Sequence, residues 1–157
     1  VLQGYKADGV TEIAKEDLLY TDADFLIPAA LEGQITADNA DRVKAKYIVE
    51  GANGPTSYEA DQILNAKGKI VVPDILANAG GVIVSYFEWV QNLQSLSWSL
   101  EEVNNKLADI LLKAFDEVYG LTEERGYPMR TSAYIIALRR LVKAKKIRGI
   151  FPYAIEQ

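Results

Sequence analysis

The chain has 157 residues, 49% hydrophobic and 25% charged, with no cysteine and no histidine. That is about enough for one domain with a core, and it excludes disulfides, thiol nucleophiles, imidazole bases and zinc sites of the usual ligand types, so no metal site is expected. The formal charge of −5 disfavours nucleic acid and acidic membrane as partners; no apolar run is long enough to cross a bilayer and the start Val1-Leu2-Gln3-Gly4 lacks a secretion signal, so a soluble, cytoplasmic protein is expected.

Residues 23–28 (Ala-Asp-Phe-Leu-Ile-Pro) form a short apolar run between turn signals and read as a buried strand. Thr36 is placed to cap a short helix through Val43. Residues 46–50 make a second strand, which stops at Gly51, Asn53, Gly54 and Pro55. Thr56 with Glu59 three residues on reads as a capping box for the next helix, and Gly68 lies just past its end. Residues 69–73 give a third strand.

After Pro73 the pattern is helical only, over residues 80–93, 100–124 and 131–148. Ser99 and Glu102 form another capping box. Leu100, Val103, Leu107, Ile110, Leu111, Ala114 and Val118 then recur along one face. The last helix carries Tyr134, Ile135, Leu138, Leu141 and Val142 on one side. Arg130, Arg139, Arg140, Lys143, Lys145, Lys146 and Arg148 form a basic block that reads as a solvated face and a dipole-matched C-terminus, without the alternating aromatics of a nucleic-acid surface.

Strands about 20 residues apart with a helix between them are βαβ units, whose crossovers force parallel pairing. The expected fold is α/β: a partial Rossmann-type parallel sheet of about three strands followed by C-terminal helices. So small a parallel sheet has open edges, and the chain contains no Gly-x-Gly-x-x-Gly, so it reads as an incomplete domain.

In open parallel sheets ligands bind beyond the carboxyl ends of the strands. Three segments take that position here: residues 28–32, 50–56 and 74–82. All are rich in small residues that let a flat ligand approach the backbone, and Asn53 and Asn78 each offer a donor and an acceptor. Gly80-Gly81 opens a helix whose first amides favour an anion, and Ser85 lies about one turn further in. Taken singly, Asn53-Gly54 also reads as a turn, Asn78 as a cap and Ser85 as a surface hydroxyl. Glu32, Asp74 and Glu88 near the same rim read as structural acids at helix starts rather than catalytic ones.

The strings PAALEGQIT, AKYIVEGANGPTSYEAD, VVPDILANAGGVIVSYFEWVQN and MRTSAYIIALRR resemble, in order and spacing, the carboxy-terminal part of the NAD(P)-binding domain of the glutamate dehydrogenase (Glu/Leu/Phe/Val dehydrogenase) family. The resemblance runs from about Asp22 to Gly149. It implies one incomplete dinucleotide-binding domain over residues 1–157, with a βαβαβ part to about residue 78 and a helical part after it. It implies oxidative deamination of L-glutamate to 2-oxoglutarate and ammonia with NAD or NADP, in a homo-oligomer that in the family is usually a hexamer.

By the same resemblance, Ala29 and Ala30 would line the nicotinamide side, Asn53 would contact the nicotinamide ribose, and Asn78 would reach the nicotinamide or bound amino acid. Val82 and Ser85 would face the substrate side chain, with Ser85 meeting its distal carboxylate. The family's catalytic Lys and Asp and its glycine-rich loop have no counterpart here, so no catalytic residue is assigned and the chain alone is expected to be inactive. The last helix is expected to have a partly uncovered apolar face. A leucine, phenylalanine or valine dehydrogenase is the nearest alternative, distinguished by Ser85; a non-catalytic binding or association module is the other.

Overall fold

The computed structural model describes residues 4–149. Three short strands, β1 (Phe25–Leu26), β2 (Tyr47–Val49) and β3 (Ile70–Val72), pair in parallel in the order β1-β2-β3. The helices are α1 (Tyr58–Ala66), α2 (Asp74–Ala77), α3 (Gly80–Gln94), α4 (Leu100–Arg125) and α5 (Met129–Arg148). Each strand sits inside its expected apolar run and is shorter than it.

Strand alternation divides two cores between the sheet faces. Ile48 and Val71 point to one face and pack with Leu64 and Ala60 of α1 and with Ile35, Ala40, Val43 and Ala45 of the preceding loop. Ile70 and Val72 point to the other and meet Leu76, Val118, Met129 and Ala133 from α2, α4 and α5. The first face is closed, while on the second Phe25, Tyr47 and Val49 still line an open apolar cavity beside Ile70 and Val72.

Two expected helix starts differ. The stretch from Thr36 to Val43 is not a helix but a loop ending in a single 3-10 turn, Ala40–Arg42. Asn39 explains this: its Oδ1 accepts from the Thr36 N–H at 2.8 Å and its Nδ2 donates to the Gln34 carbonyl at 2.9 Å, so the side chain competes with helical bonding. At α1 the cap is Ser57, whose hydroxyl accepts from the Ala60 N–H at 3.2 Å, rather than Thr56 with Glu59. Thr56 is held extended by a parallel bridge to Ile35, and its buried hydroxyl has no partner among the described residues. The Ser99–Glu102 capping box forms as expected, and Gly126 and Gly149 end α4 and α5 in the left-handed region.

The apolar stripe of α4 is buried only toward its C-terminal half: Val118 is buried, while Leu100 and Ile110 are exposed. Near the middle, Leu107 and Leu111 approach the α3 start, where their methyl carbons lie 3.9 and 3.8 Å from the place a Cβ on Gly80 would occupy. Tyr134, Leu138, Leu141 and Val142 of α5 are exposed, as expected for an uncovered face. Arg139, Arg140, Lys143, Lys145, Lys146 and Arg148 are exposed too, and Arg140 pairs with Glu117 of α4. Among the described residues no helix is long and apolar enough to cross a membrane.

Candidate functional site

Past the C-terminal ends of the strands the three loops enclose an open crevice of about 830 Å³, lined by Ala30, Leu31, Glu32, Gly51, Ala52, Asn53, Asn78, Gly81, Val82 and Ser85. Five of the six residues singled out in the sequence, Ala30, Asn53, Asn78, Val82 and Ser85, thus meet at one rim. Ala29 is set just behind it: a Cβ placed on Gly51 would stand 3.0 Å from the Ala29 Cβ. Glycine at 51 is what lets the first two loops close up, and the Ala52 N–H donates to the Pro28 carbonyl at 2.8 Å to hold them.

The second and third loops are joined by their amides. Asn78 Nδ2 donates to Asn53 Oδ1 at 2.6 Å and, more weakly, to the Gly51 carbonyl at 3.4 Å. The pairing leaves Asn53 Nδ2 and Asn78 Oδ1, a donor and an acceptor, without a protein partner among the described residues. Both flank walls made of Gly51, Ala52 and Gly81. A planar carboxamide and a sugar need that combination of flat approach and paired donor and acceptor, so these residues fit the nicotinamide end of a dinucleotide.

The third loop differs from the sequence expectation in one respect. Residues Asp74–Ala77 form a separate helical turn, α2, with Asn78 as its C-cap. The α3 helix then starts at Gly80 with no side-chain cap. Ile83 N–H donates to the Ala79 carbonyl at 3.1 Å. The amides of Gly80, Gly81 and Val82 form the first turn of this helix, and Gly81, Val82 and Ser85 all line the crevice. Partial positive charge therefore gathers at this side, while Glu32 is the one ionised group in the lining.

Behind the crevice lies a cluster that the sequence reading did not find. Glu50, directly after β2, is fully buried, and Arg130, in the first turn of α5, has only 17% of its side chain exposed. Arg130 Nη2 meets Glu50 Oε1 at 2.6 Å, Nε meets Asp61 Oδ1 at 3.1 Å and Nη1 meets Asp74 Oδ1 at 3.2 Å. Arg130 is thus not part of the solvated basic block in which its sequence position placed it. Burial pulls its pKa down, but the hydrogen bond and charge of Glu50, followed by those of Asp61, outweigh that effect and raise it, so the guanidinium stays charged.

The carboxylates reach onward. Glu50 Oε2 accepts from the Asp74 N–H at 2.8 Å, and Asp74 Oδ2 accepts from the Gly54 N–H at 2.8 Å. Asp74 therefore bonds across to the loop that carries Asn53, which is the reason for its place at the rim. One signal was available: a cation in the first turn of a helix opposes the dipole, so Arg130, two residues after Pro128, needs anions near it. Which anions is a matter of tertiary contact.

The family model described as Glutamate/Leucine/Phenylalanine/Valine dehydrogenase matches residues 1–149. The chain belongs to this family. It is 58% identical over 140 residues to a glutamate dehydrogenase of Thermotoga maritima, covering 89% of this chain and 34% of that relative. An NADP-specific glutamate dehydrogenase of Synechocystis is 54% identical, over 90% of this chain and 33% of its own length. An NAD-specific one of Staphylococcus aureus is 53% identical, over 87% and 33%. The crystal structure of a hetero-hexameric glutamate dehydrogenase from Thermus thermophilus, in a leucine-bound form, superposes with a TM-score of 0.85 at 36% identity, covering 96% of this chain and 36% of that one. The chain spans about a third of the length of the relatives it matches, and its three-strand parallel sheet with C-terminal helices matches the fold of that solved structure.

Proposed function

We propose that this chain forms the nicotinamide-side wall of an NAD(P)-dependent oxidoreductase that converts L-glutamate to 2-oxoglutarate and ammonia. The observation that carries the reading is the meeting of Asn53, Asn78 and Ser85 around one crevice at the carboxyl ends of parallel strands. The named relatives, NAD- and NADP-specific, support a nicotinamide cofactor without choosing between the two forms.

In this reading the cofactor supplies the hydride acceptor, and everything else on this wall is placement. Ala29 and Ala30 keep the first loop low enough for close approach. Asn53 holds the nicotinamide ribose, and Asn78 the carboxamide or the substrate. Val82 and Ser85 face the substrate side chain, where the Ser85 hydroxyl and the uncapped start of α3 take up its distal carboxylate. Residues 1–78 and 79–157 belong to one dinucleotide-binding domain, of which 1–3 and 150–157 lie outside the described residues. The complete enzyme is an oligomer, in keeping with the hexameric assembly of the Thermus thermophilus structure.

This wall lacks a lysine or arginine in its lining and holds no candidate for proton transfer other than Glu32. The chain by itself is therefore proposed to be inactive and to bind the dinucleotide weakly. The test is turnover of glutamate and leucine by the complete protein with each nicotinamide cofactor, beside NADH fluorescence titration of residues 1–157 alone. Preference for leucine would replace the substrate assignment with that of a leucine, phenylalanine or valine dehydrogenase. Absence of turnover on any amino acid would favour a non-catalytic module, and tight cofactor binding by the chain alone would contradict its proposed dependence on a further wall.

A further inference from the structure

We infer that Arg130 is a positioning residue for the nicotinamide end of the cofactor, acting through Glu50 and Asp74 on the Asn53–Asn78 pair. The inference rests on the proposed reading of the crevice and names what sets its geometry.

Four elements converge on one guanidinium. Glu50 directly follows β2 and stands three residues before Asn53; Asp74 starts α2 and stands four before Asn78; Asp61 belongs to α1; and Arg130 itself belongs to α5. The contacts to Glu50, Asp61 and Asp74, at 2.6, 3.1 and 3.2 Å, use all three guanidinium nitrogens. A planar fork presents its donors from three separate nitrogens at fixed angles, whereas an ammonium gathers three rotatable donors on one atom at the end of a flexible stem.

The next bonds run from these carboxylates to the crevice. Glu50 Oε2 takes the Asp74 N–H, Asp74 Oδ2 takes the Gly54 N–H, and the Asp74 carbonyl takes the Asn78 N–H at 3.1 Å. Asn53 is thus tied through the adjacent Gly54 N–H to the Asp74 carboxylate, and Asn78 through the Asp74 backbone, whose N–H is held by Glu50. The 2.6 Å amide contact between them is where the two arms close.

A core made only for stability has a simpler composition. Burying Glu50 completely and giving three carboxylates a single cation is costly, and well-packed apolar residues at such places are often as stable or more so. What the charged cluster provides is direction: fixed angles between the end of β2, the start of α2 and the start of α5. Shifts of an ångström at a site that holds a flat ring are felt in binding and rate.

The experiment uses the complete protein with Arg130→Lys and, separately, Asp74→Asn, which keeps the size of the side chain but offers an amide to the Gly54 N–H. Dissociation constants are measured for the reduced dinucleotide that the unaltered protein binds and for the matching adenosine diphosphate, which shares the distal end and lacks the nicotinamide. Both variants are expected to weaken the dinucleotide about tenfold and to leave the adenosine diphosphate within about twofold. Combined with Asn78→Ala, Arg130→Lys is expected to add little, because the two act on one arrangement. Leu64→Ala, in the core beside α1, is the control for general loosening and should lower the melting temperature without this split.

Equal weakening of both nucleotides, an unchanged dinucleotide constant in Arg130→Lys and Asp74→Asn, or full additivity with Asn78→Ala would overturn the role of Arg130 while leaving the crevice reading intact. Failure of the unaltered protein to bind either dinucleotide would overturn both.

Discussion

Asn78 Nδ2 donates to Asn53 Oδ1 across 2.6 Å, although 25 residues separate the two in the chain. The contact joins the turn after β2 to the turn after α2 and fixes the outward groups of both amides. Asn53→Ala and Asn78→Ala should each weaken nicotinamide dinucleotide binding by the complete protein about tenfold, corresponding to about 1.4 kcal/mol, within the range for one hydrogen-bonding unit. The double variant should be little worse than the poorer single one. Fluorescence titration with the reduced cofactor reads this, and single variants that bind as tightly as the unaltered protein would remove both residues from the site.

Ser85 stands one turn into α3 beside the amides of Gly81 and Val82. Ser85→Ala is expected to lower kcat/KM for glutamate by roughly 10- to 100-fold while changing that for leucine much less, since only the former leaves a carboxylate short of a donor. Parallel steady-state kinetics with both amino acids decide it. An equal loss on both would show that the hydroxyl serves the helix and not the substrate.

Gly51 lies where β2 passes into the crevice, and a methyl group there would sit 3.0 Å from the Ala29 Cβ. Gly51→Ala should force the first and second loops apart, weakening cofactor binding more than it lowers the melting temperature. The reason is steric crowding of two backbone segments, neither of which has a flexible side chain to move aside. Comparing the dissociation constant with thermal unfolding of the same sample tests the expectation.

Leu64 is fully buried between α1 and the sheet. Leu64→Ala should cost about 2–5 kcal/mol, the usual range for emptying such a position. Denaturant unfolding followed by far-ultraviolet circular dichroism gives the value. A loss below about 1 kcal/mol would mean that this core collapses onto the gap more readily than close packing allows.

The Ser99 N–H and hydroxyl both donate to the Glu102 carboxylate, at 2.7 and 3.0 Å. The backbone bond first, and the hydroxyl bond after it, hold the Glu102 pKa below the ordinary glutamate value. A carboxyl depressed in the folded state stabilises above its unfolded pKa, and that stabilisation fades as pH falls through the lowered value. The melting temperature of the unaltered protein should therefore exceed that of Glu102→Ala at neutral pH, and the gap should narrow in acid. A gap that is constant down to the acid limit would count against the box as its source.

Much of the arrangement was legible because it rests on periodicity and local chemistry. The apolar runs gave three strands, the spacing made them parallel, and Ser99-x-x-Glu102 marked the start of α4. Thr56 and Ser57 show where local signals tie: both can cap, and the bridge from Thr56 to Ile35, far back in the chain, decides. Asn39 shows a side chain outcompeting a weak helix. The exposed residues of α4 and α5 follow an apolar pattern that says which side wants cover but not what supplies it.

The site divides in the same way. Small residues and amides at strand ends could be picked out from position alone, and five of the six line the crevice. The Arg130 cluster could not, because its members are separated by as many as 80 residues and are ordinary charged residues in sequence. Arg130 shares its stretch with six other cations, and nothing local sets it apart.

Part of the crevice wall is close to bare main chain, with Gly51, Ala52 and Gly81 adding at most a methyl group. Mutation can enlarge such a surface but has almost nothing to trim or recolour there. In the proposed reading, drift toward other substrates is thereby channelled into the lining positions with side chains to exchange, Val82 and Ser85 among them, while the floor beneath the ring stays as it is.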